Sequence, residues 1–160
     1  MYGKILTPLD GSSFSESALS HAVEIARSTG AELLLLRVVQ DPLAAVPEAA
    51  VGAKPRAIYK RAISAYRYLQ GLTARLGGEG IKIHAKVLEG DPAATILCYA
   101  HRENVDVIVM GTHGRSGLLR MFWGSVAEKV ALTTKRPVVL VKPDKGFRRI
   151  PKEESKIEAA

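Results

Sequence analysis

The chain is poor in several things that would otherwise widen the choice of function. It has a single cysteine, Cys98, so no internal disulfide can form, and a reducing compartment suits it. No apolar run approaches the roughly 20 residues that cross a bilayer. Met1-Tyr2-Gly3-Lys4 leads straight into a strand-like segment instead of a signal peptide, and the expectation is a cytoplasmic protein. A Gly-x-Ser-x-Gly elbow, a Walker A loop and a Gly-x-Gly-x-x-Gly run are all missing, which removes the common hydrolase, P-loop and dinucleotide-binding readings. Acidic residues vanish between Ala49 and Gly78, where Lys54, Arg56, Lys60, Arg61, Arg67 and Arg75 supply almost the whole net charge of +7. A basic helix can track phosphates. Without aromatic stacking platforms or a nucleic-acid motif, this one reads as a solvated face, and specific nucleic-acid binding is not expected.

What is present is an alternation of apolar runs with helical periodicity. With 47% hydrophobic residues over 160 positions, one substantial core can be buried in one domain. Ala31 to Val39 and Val107 to Met110 are unalternating apolar runs, as expected of strands covered on both faces of a parallel sheet; Lys4 to Leu9 is strand-like, with Pro8 near its end limiting the ladder, and Pro137 to Val141 is a fifth apolar strand. Ile81 to Leu88 alternates apolar with polar residues and suits a half-exposed strand near an edge.

Helices fill the intervals. Ser13-x-x-Glu16 fits a capping box ahead of Leu19, Ala22, Val23 and Ala26, and Gly30 closes that helix. His21, with no ligand companion, reads as a structural histidine. Arg56 to Leu76 carries helical spacing, with Tyr59, Tyr66 and Tyr68 on its surface and core edge. Asp91 and Pro92 cap the next helix; its Cys98 and His101 alone make a poor zinc site. Trp123 to Thr133 is the last, with Val126, Val130 and Ala131 inward. Asp41 to Pro55 is too broken by proline and glycine for a helix throughout, and could be a lid, a partner surface or a loose insertion. Asp144 to Ala160 is charged and reads as a loose tail. Five strands alternating with four helices give an open, doubly wound, Rossmann-like α/β sheet.

The informative stretch begins where Val107-Ile108-Val109-Met110 ends. Gly111, Gly114 and Gly124 follow, with Ser125 at the start of a helical pattern. Glycines let backbone approach a ligand, a helix start offers unpaired amides, and open α/β sheets bind ligands at the carboxyl ends of their strands. His113, Arg115 and Arg120 add possible anion partners. Together these features favour a phosphate site over a plain loop.

The spacing Gly111-x2-Gly114-x9-Gly124-Ser125 after a Val-Ile-Val-Met strand resembles the ATP-binding signature of the universal stress protein family. Ile5-Leu6-Thr7-Pro8-Leu9-Asp10-Gly11-Ser12, Leu34 to Val38 and Pro137 to Val141 are similar to the family's first, second and last strands. The resemblance implies sheet order 3-2-1-4-5 over residues 1–143, with 144–160 a tail. It implies ATP, with Mg2+, as ligand. Thr7, Pro8, Leu9 and Asp10 would line the base and ribose side, with Val38 against the adenine. Met110, Gly111, His113, Gly114, Arg115, Gly124, Ser125 and Val126 would wrap ribose and phosphates. Asp10 could accept ribose hydroxyls or hold the metal through water. Arg37 stands where many relatives carry histidine. The family's common dimer contact implies a homodimer through Pro137 to Val141, an uncharged edge suited to pairing. ATP binding with slow or no hydrolysis follows, in a stress regulator or protective factor.

Two rival readings belong to other classes. A nucleotide-free homodimeric interaction module would share the fold. A receiver-like phosphoacceptor domain would also share it, and Thr112 and Lys142 superficially suit one, but Asp10 is followed by Gly11 and the third strand ends in Leu88-Glu89, without the acids such domains carry.

Overall fold

A computed structural model describes residues 1–40, 54–112 and 124–142, with backbone alone for 54–57. The elements run β1 (Lys4–Pro8), α1 (Ser13–Thr29), β2 (Glu32–Val39), α2 (Lys54–Leu76), a 3-10 turn (Gly77–Glu79), β3 (Ile83–Glu89), α3 (Pro92–Arg102), β4 (Val107–Gly111), α4 (Ser125–Thr133) and β5 (Val138–Val141). The strands form one sheet in the order β3-β2-β1-β4-β5, every neighbouring pair parallel. This is the doubly wound arrangement expected from the alternation and the family resemblance.

Successive strand residues point to opposite faces, so unalternating runs feed two cores at once. Ile5, Leu33, Leu35, Val107 and Val109 pack with Leu19, Ala22 and Ala26 of α1 and with Leu69 and Leu72 of α2. Their chain neighbours Leu6, Leu34, Leu36 and Ile108 pack on the other face, with Ile96 and Ala100 of α3 and Ala127 and Val130 of α4. The alternating strand β3 takes one edge, where its polar residues His84 and Lys86 are exposed. At the other edge the β5 residues Val138 to Leu140 are only half-buried.

Helix ends account for several departures from the sequence reading. The capping box was expected at Ser13 and Glu16, but Ser12 is the N-cap and accepts the Ser15 amide at 3.2 Å. Glu16 instead turns inward. Gly30 caps α1 with φ 72°, and Asp91 caps α3 by accepting the Ala94 amide at 2.9 Å. α2 starts at Lys54, not Arg56, because Pro55 in a first turn forfeits only an amide that would be unpaired anyway. α4 starts at Ser125, not Trp123, and buries Ala127 and Val130 while Val126 and Ala131 are half-buried. His21 is exposed, not packed. At the amino end of the sheet the Asp106 carboxylate accepts the amides of Gly3 and Lys4 at 2.8 and 2.9 Å. That clamps the start of β1 to the loop before β4.

Candidate functional site

The central strands β1 and β4 lie side by side, and their connections depart to opposite faces of the sheet. A crevice therefore opens at the carboxyl ends of β1, β2 and β4, as it does where strand order reverses in open α/β sheets. It holds a cavity of about 820 Å³. Pro8, Leu9, Asp10, Val38, Met110, Gly111, Gly124, Ser125 and Val126 all lie on its wall. Thr7 does not: it is fully buried within β1, and its Oγ1 has no hydrogen-bond partner among the described residues. His113, Gly114, Arg115 and Arg120 lie outside the described residues.

Asp10 sits in the turn between β1 and α1. Its Oδ1 accepts the Ser12 amide at 2.9 Å and the Ser12 hydroxyl, while its own amide donates to Ser15 Oγ at 3.2 Å. Burial works to raise the carboxyl pKa. The Ser12 and Ser15 hydrogen bonds and the Arg37 charge outweigh it and hold Asp10 below the ordinary carboxylate value. Asp10 is therefore a fixed anion facing the crevice, suited to accept ligand hydroxyls. On the same cavity wall, the N-cap of α4 is Gly124, with no side-chain cap, so the first-turn amides and positive dipole end of α4 are available to an anion.

Gly111 has a use the sequence reading missed. A Cβ there would fall 2.6 Å from the Phe14 carbonyl carbon and closer still to its oxygen. The close backbone approach at Gly111 is thus to the first turn of α1, and it seats that turn, with Ser12 and Ser15, against the end of β4. Gly11 is different. Its φ of 81° is a left-handed turn conformation that favours glycine.

The crevice also has residues that sequence reasoning left out. Arg61, Ser64, Ala65 and Tyr68 of α2 form part of the wall. Their spacing of three, one and three places them on one helical face, a signal present in the sequence but hidden because the polar members border the apolar stripe. Tyr68 donates to Glu16 Oε1 at 3.0 Å, and Glu16 is only 5% exposed. Burial, then the Glu16 charge, push the Tyr68 phenol pKa well up, so it remains a donor. Arg37 lies over the Tyr68 ring at 5.9 Å and donates from Nη1 to the Leu9 carbonyl at 3.2 Å. It ties β2, β1 and α2 together at the crevice rim. Arg61 donates to the Gln40 carbonyl at 3.2 Å. Among the described residues the wall thus carries one carboxylate, Asp10, and two guanidinium groups.

No group of three or more His, Cys, Asp or Glu side chains converges among the described residues. Cys98 is exposed on α3. A magnesium ion does not require such a cluster, since it is commonly held by one or two carboxylates together with ligand phosphates and water. Asp10 fits that use, and the open start of α4 fits a phosphate.

The molecule is thus a doubly wound α/β fold with a mixed-charge crevice at its switch point. Residues 1–142 match the universal stress protein family, and the chain belongs to that family. It is 36% identical over 146 residues to a universal stress protein of Methanocaldococcus jannaschii, covering 91% of this chain and 85% of that one. The universal stress protein UspA of Lactobacillus plantarum superposes with a TM-score of 0.78 at 26% identity, covering 88% of this chain and 97% of the other. Two more distant structures share the fold and hold adenine nucleotides. One is a universal stress protein in complex with cAMP (23% identity, TM-score 0.64, 88% and 97% covered). The other is a family protein of Arabidopsis thaliana with AMP bound (19% identity, TM-score 0.64, 89% and 93% covered).

Proposed function

We propose that this chain binds ATP, with Mg2+, in the crevice at the carboxyl ends of β1, β2 and β4, and acts as a nucleotide-responsive stress regulator or protective factor. The carrying observation is that one cavity gathers Asp10, Val38, Met110 and the uncapped start of α4. A flat apolar base fits between Pro8, Val38 and Met110, ribose hydroxyls meet Asp10, and phosphates meet Gly124, Ser125 and Val126 through main-chain amides. His113, Gly114 and Arg115 complete the phosphate side in this reading. Nucleotides bound by two proteins of the same fold support it. Asp10 is committed to ribose or to magnesium through water, and no other carboxylate among the described residues lines the cavity to activate a water, so hydrolysis is slow or absent.

The same reading takes residues 1–143 as the nucleotide-binding domain, 144–160 as a tail, the cytoplasm as the compartment and a homodimer through Pro137 to Val141 as the assembly. No described helix is long and apolar enough to cross a membrane. If ATP binds only the folded state, ligand at 100 times its dissociation constant adds about 2.7 kcal/mol of stability. Thermal unfolding with and without ATP and magnesium tests this, alongside chromatography of any nucleotide released from purified protein. An unshifted transition with no retained nucleotide defeats the proposal.

A further inference from the structure

Helix α2 has a second face. Away from the crevice, Tyr59, Ile63 and Tyr66 are 68%, 50% and 57% exposed, against the usual tendency of large apolar side chains to be covered. Exposed Gln70 and Ala74 continue the line. From Tyr59 to Gln70 the spacing is four, three, four, the period of a coiled-coil seam, and on a helix it lays the side chains along one stripe about 16 Å long. Lys60 and Arg67, one position after each tyrosine, are exposed along one flank, where a seam carries the charges that choose its partner.

We propose that this face of α2 docks an acidic amphipathic helix of a partner protein. Apolar side chains at seam positions would cover Tyr59, Ile63 and Tyr66, and Asp or Glu at the flanking positions would meet Lys60 and Arg67. Charge selects this occupant. A second copy of the chain would bring the same basic flank to itself, and Ala49 to Gly78 contains no acid to relieve the repulsion. A single-stranded nucleic acid would use the two tyrosine rings but not Ile63, which offers no stacking face. A membrane would need a broader apolar face than one stripe. The docking is independent of the nucleotide, because the crevice residues Arg61, Ser64, Ala65 and Tyr68 occupy a different side of the same helix.

The test uses the full chain and two labelled amphipathic peptides of about three heptads, both with leucine at seam positions, one with glutamate and one with lysine at the flanks. Fluorescence anisotropy should show the acidic peptide binding about tenfold more tightly than the basic one, with the gap shrinking as salt rises. Ile63→Asp should abolish binding. The double variant Lys60→Glu/Arg67→Glu should reverse the peptide preference. All three positions are exposed, so the melting temperature of each variant should match the parent and separate lost docking from lost fold. Equal affinity for the two peptides, or no binding of either up to about 1 mM, overturns the proposal. Full binding by Ile63→Asp overturns it as well, as does tighter binding of anionic vesicles or a single-stranded oligonucleotide than of the acidic peptide.

Discussion

Substituting Gly111 by alanine adds one methyl group at the junction of β4 and α1, and its cost can be worked from the surroundings. The new Cβ would lie 2.6 Å from the Phe14 carbonyl carbon and 3.1 Å from the Ser15 Cα. Both neighbours are backbone, so no side-chain rotation relieves the overlap, and the first turn of α1 must move. Gly111 does not have positive φ, so alanine there suffers no conformational penalty and the effect is steric alone. Overpacking of a well-packed site typically costs 1–3 kcal/mol, and a backbone partner puts Gly111→Ala near about 3 kcal/mol by that scale. For a chain of this size that corresponds to a fall of about 6–12 °C in melting temperature. Gly30→Ala is the control. With φ 72° and nothing within 4 Å of its Cβ, it should lose only the left-handed penalty of about 1–2 kcal/mol. Urea denaturation of both variants checks the comparison. If Gly111→Ala is as stable as the parent, or no worse than Gly30→Ala, the reading of Gly111 as the seat of α1 is wrong.

Other substitutions separate the parts of the site. Gly124→Val should block nucleotide binding by bulk while leaving the fold largely intact, and Ser125→Ala should cost about 0.5–1.5 kcal/mol of binding as one lost hydrogen bond; parental affinity in both, by calorimetry, would place any ligand elsewhere. Tyr68→Phe takes the donor from the buried Glu16 carboxylate and should destabilise the fold by about 1–3 kcal/mol in chemical denaturation. The amides of Gly3, then Lys4, hold the Asp106 carboxyl below its ordinary value. Its stabilising effect is present above the unfolded-state pKa and lost as pH falls through the lower folded one. Asp106→Asn should therefore weaken the protein at pH 7 relative to the parent, and denaturation at the acid end of the carboxylate range should show the two converging. Val139→Lys or Leu140→Pro should weaken a dimer joined at β5; light scattering on a size column that finds only monomer, or a dimer indifferent to both changes, removes that interface.

The frame of the molecule was legible because burial on both faces leaves a plain mark. Leu33 to Leu36 and Val107 to Met110 alternate between two cores, and a strand that serves two cores has no polar positions to spare. The third strand announced its edge position by alternating. Sheet order came from the family resemblance, since the pattern of apolar runs does not choose among orders. The crevice was half visible. Asp10 and the start of α4 stood out because they follow apolar strands at the carboxyl edge of the sheet, where open α/β folds bind ligands. The α2 wall did not, because Arg61, Ser64 and Tyr68 are read equally well as a polar border.

Local ambiguity explains the remaining errors. Ser12-Ser13-x-Ser15-Glu16 offers two hydroxyls each three residues ahead of a plausible partner, and only packing decides that Ser12 caps while Glu16 meets Tyr68. Gly111 lines the crevice, but sequence does not report that the Phe14 backbone also presses on it.

The parallel pairing of β1 with β4 governs the order in which a growing chain can become a sheet. Ile5 and Leu6 are among the first residues made, yet their partners Val107 and Ile108 come only after α2, β3 and α3 have been synthesised. Until then β1 can pair with β2 alone, and one row of its amides and carbonyls stays open. α1 is equally unfinished, because the end of β4 that it covers does not yet exist. A nascent chain halted before Val107 therefore exposes an unpaired, apolar central strand, the kind of edge that invites association with other chains. That exposure ends when β4 enters beside β1 and Gly111 slides beneath Phe14.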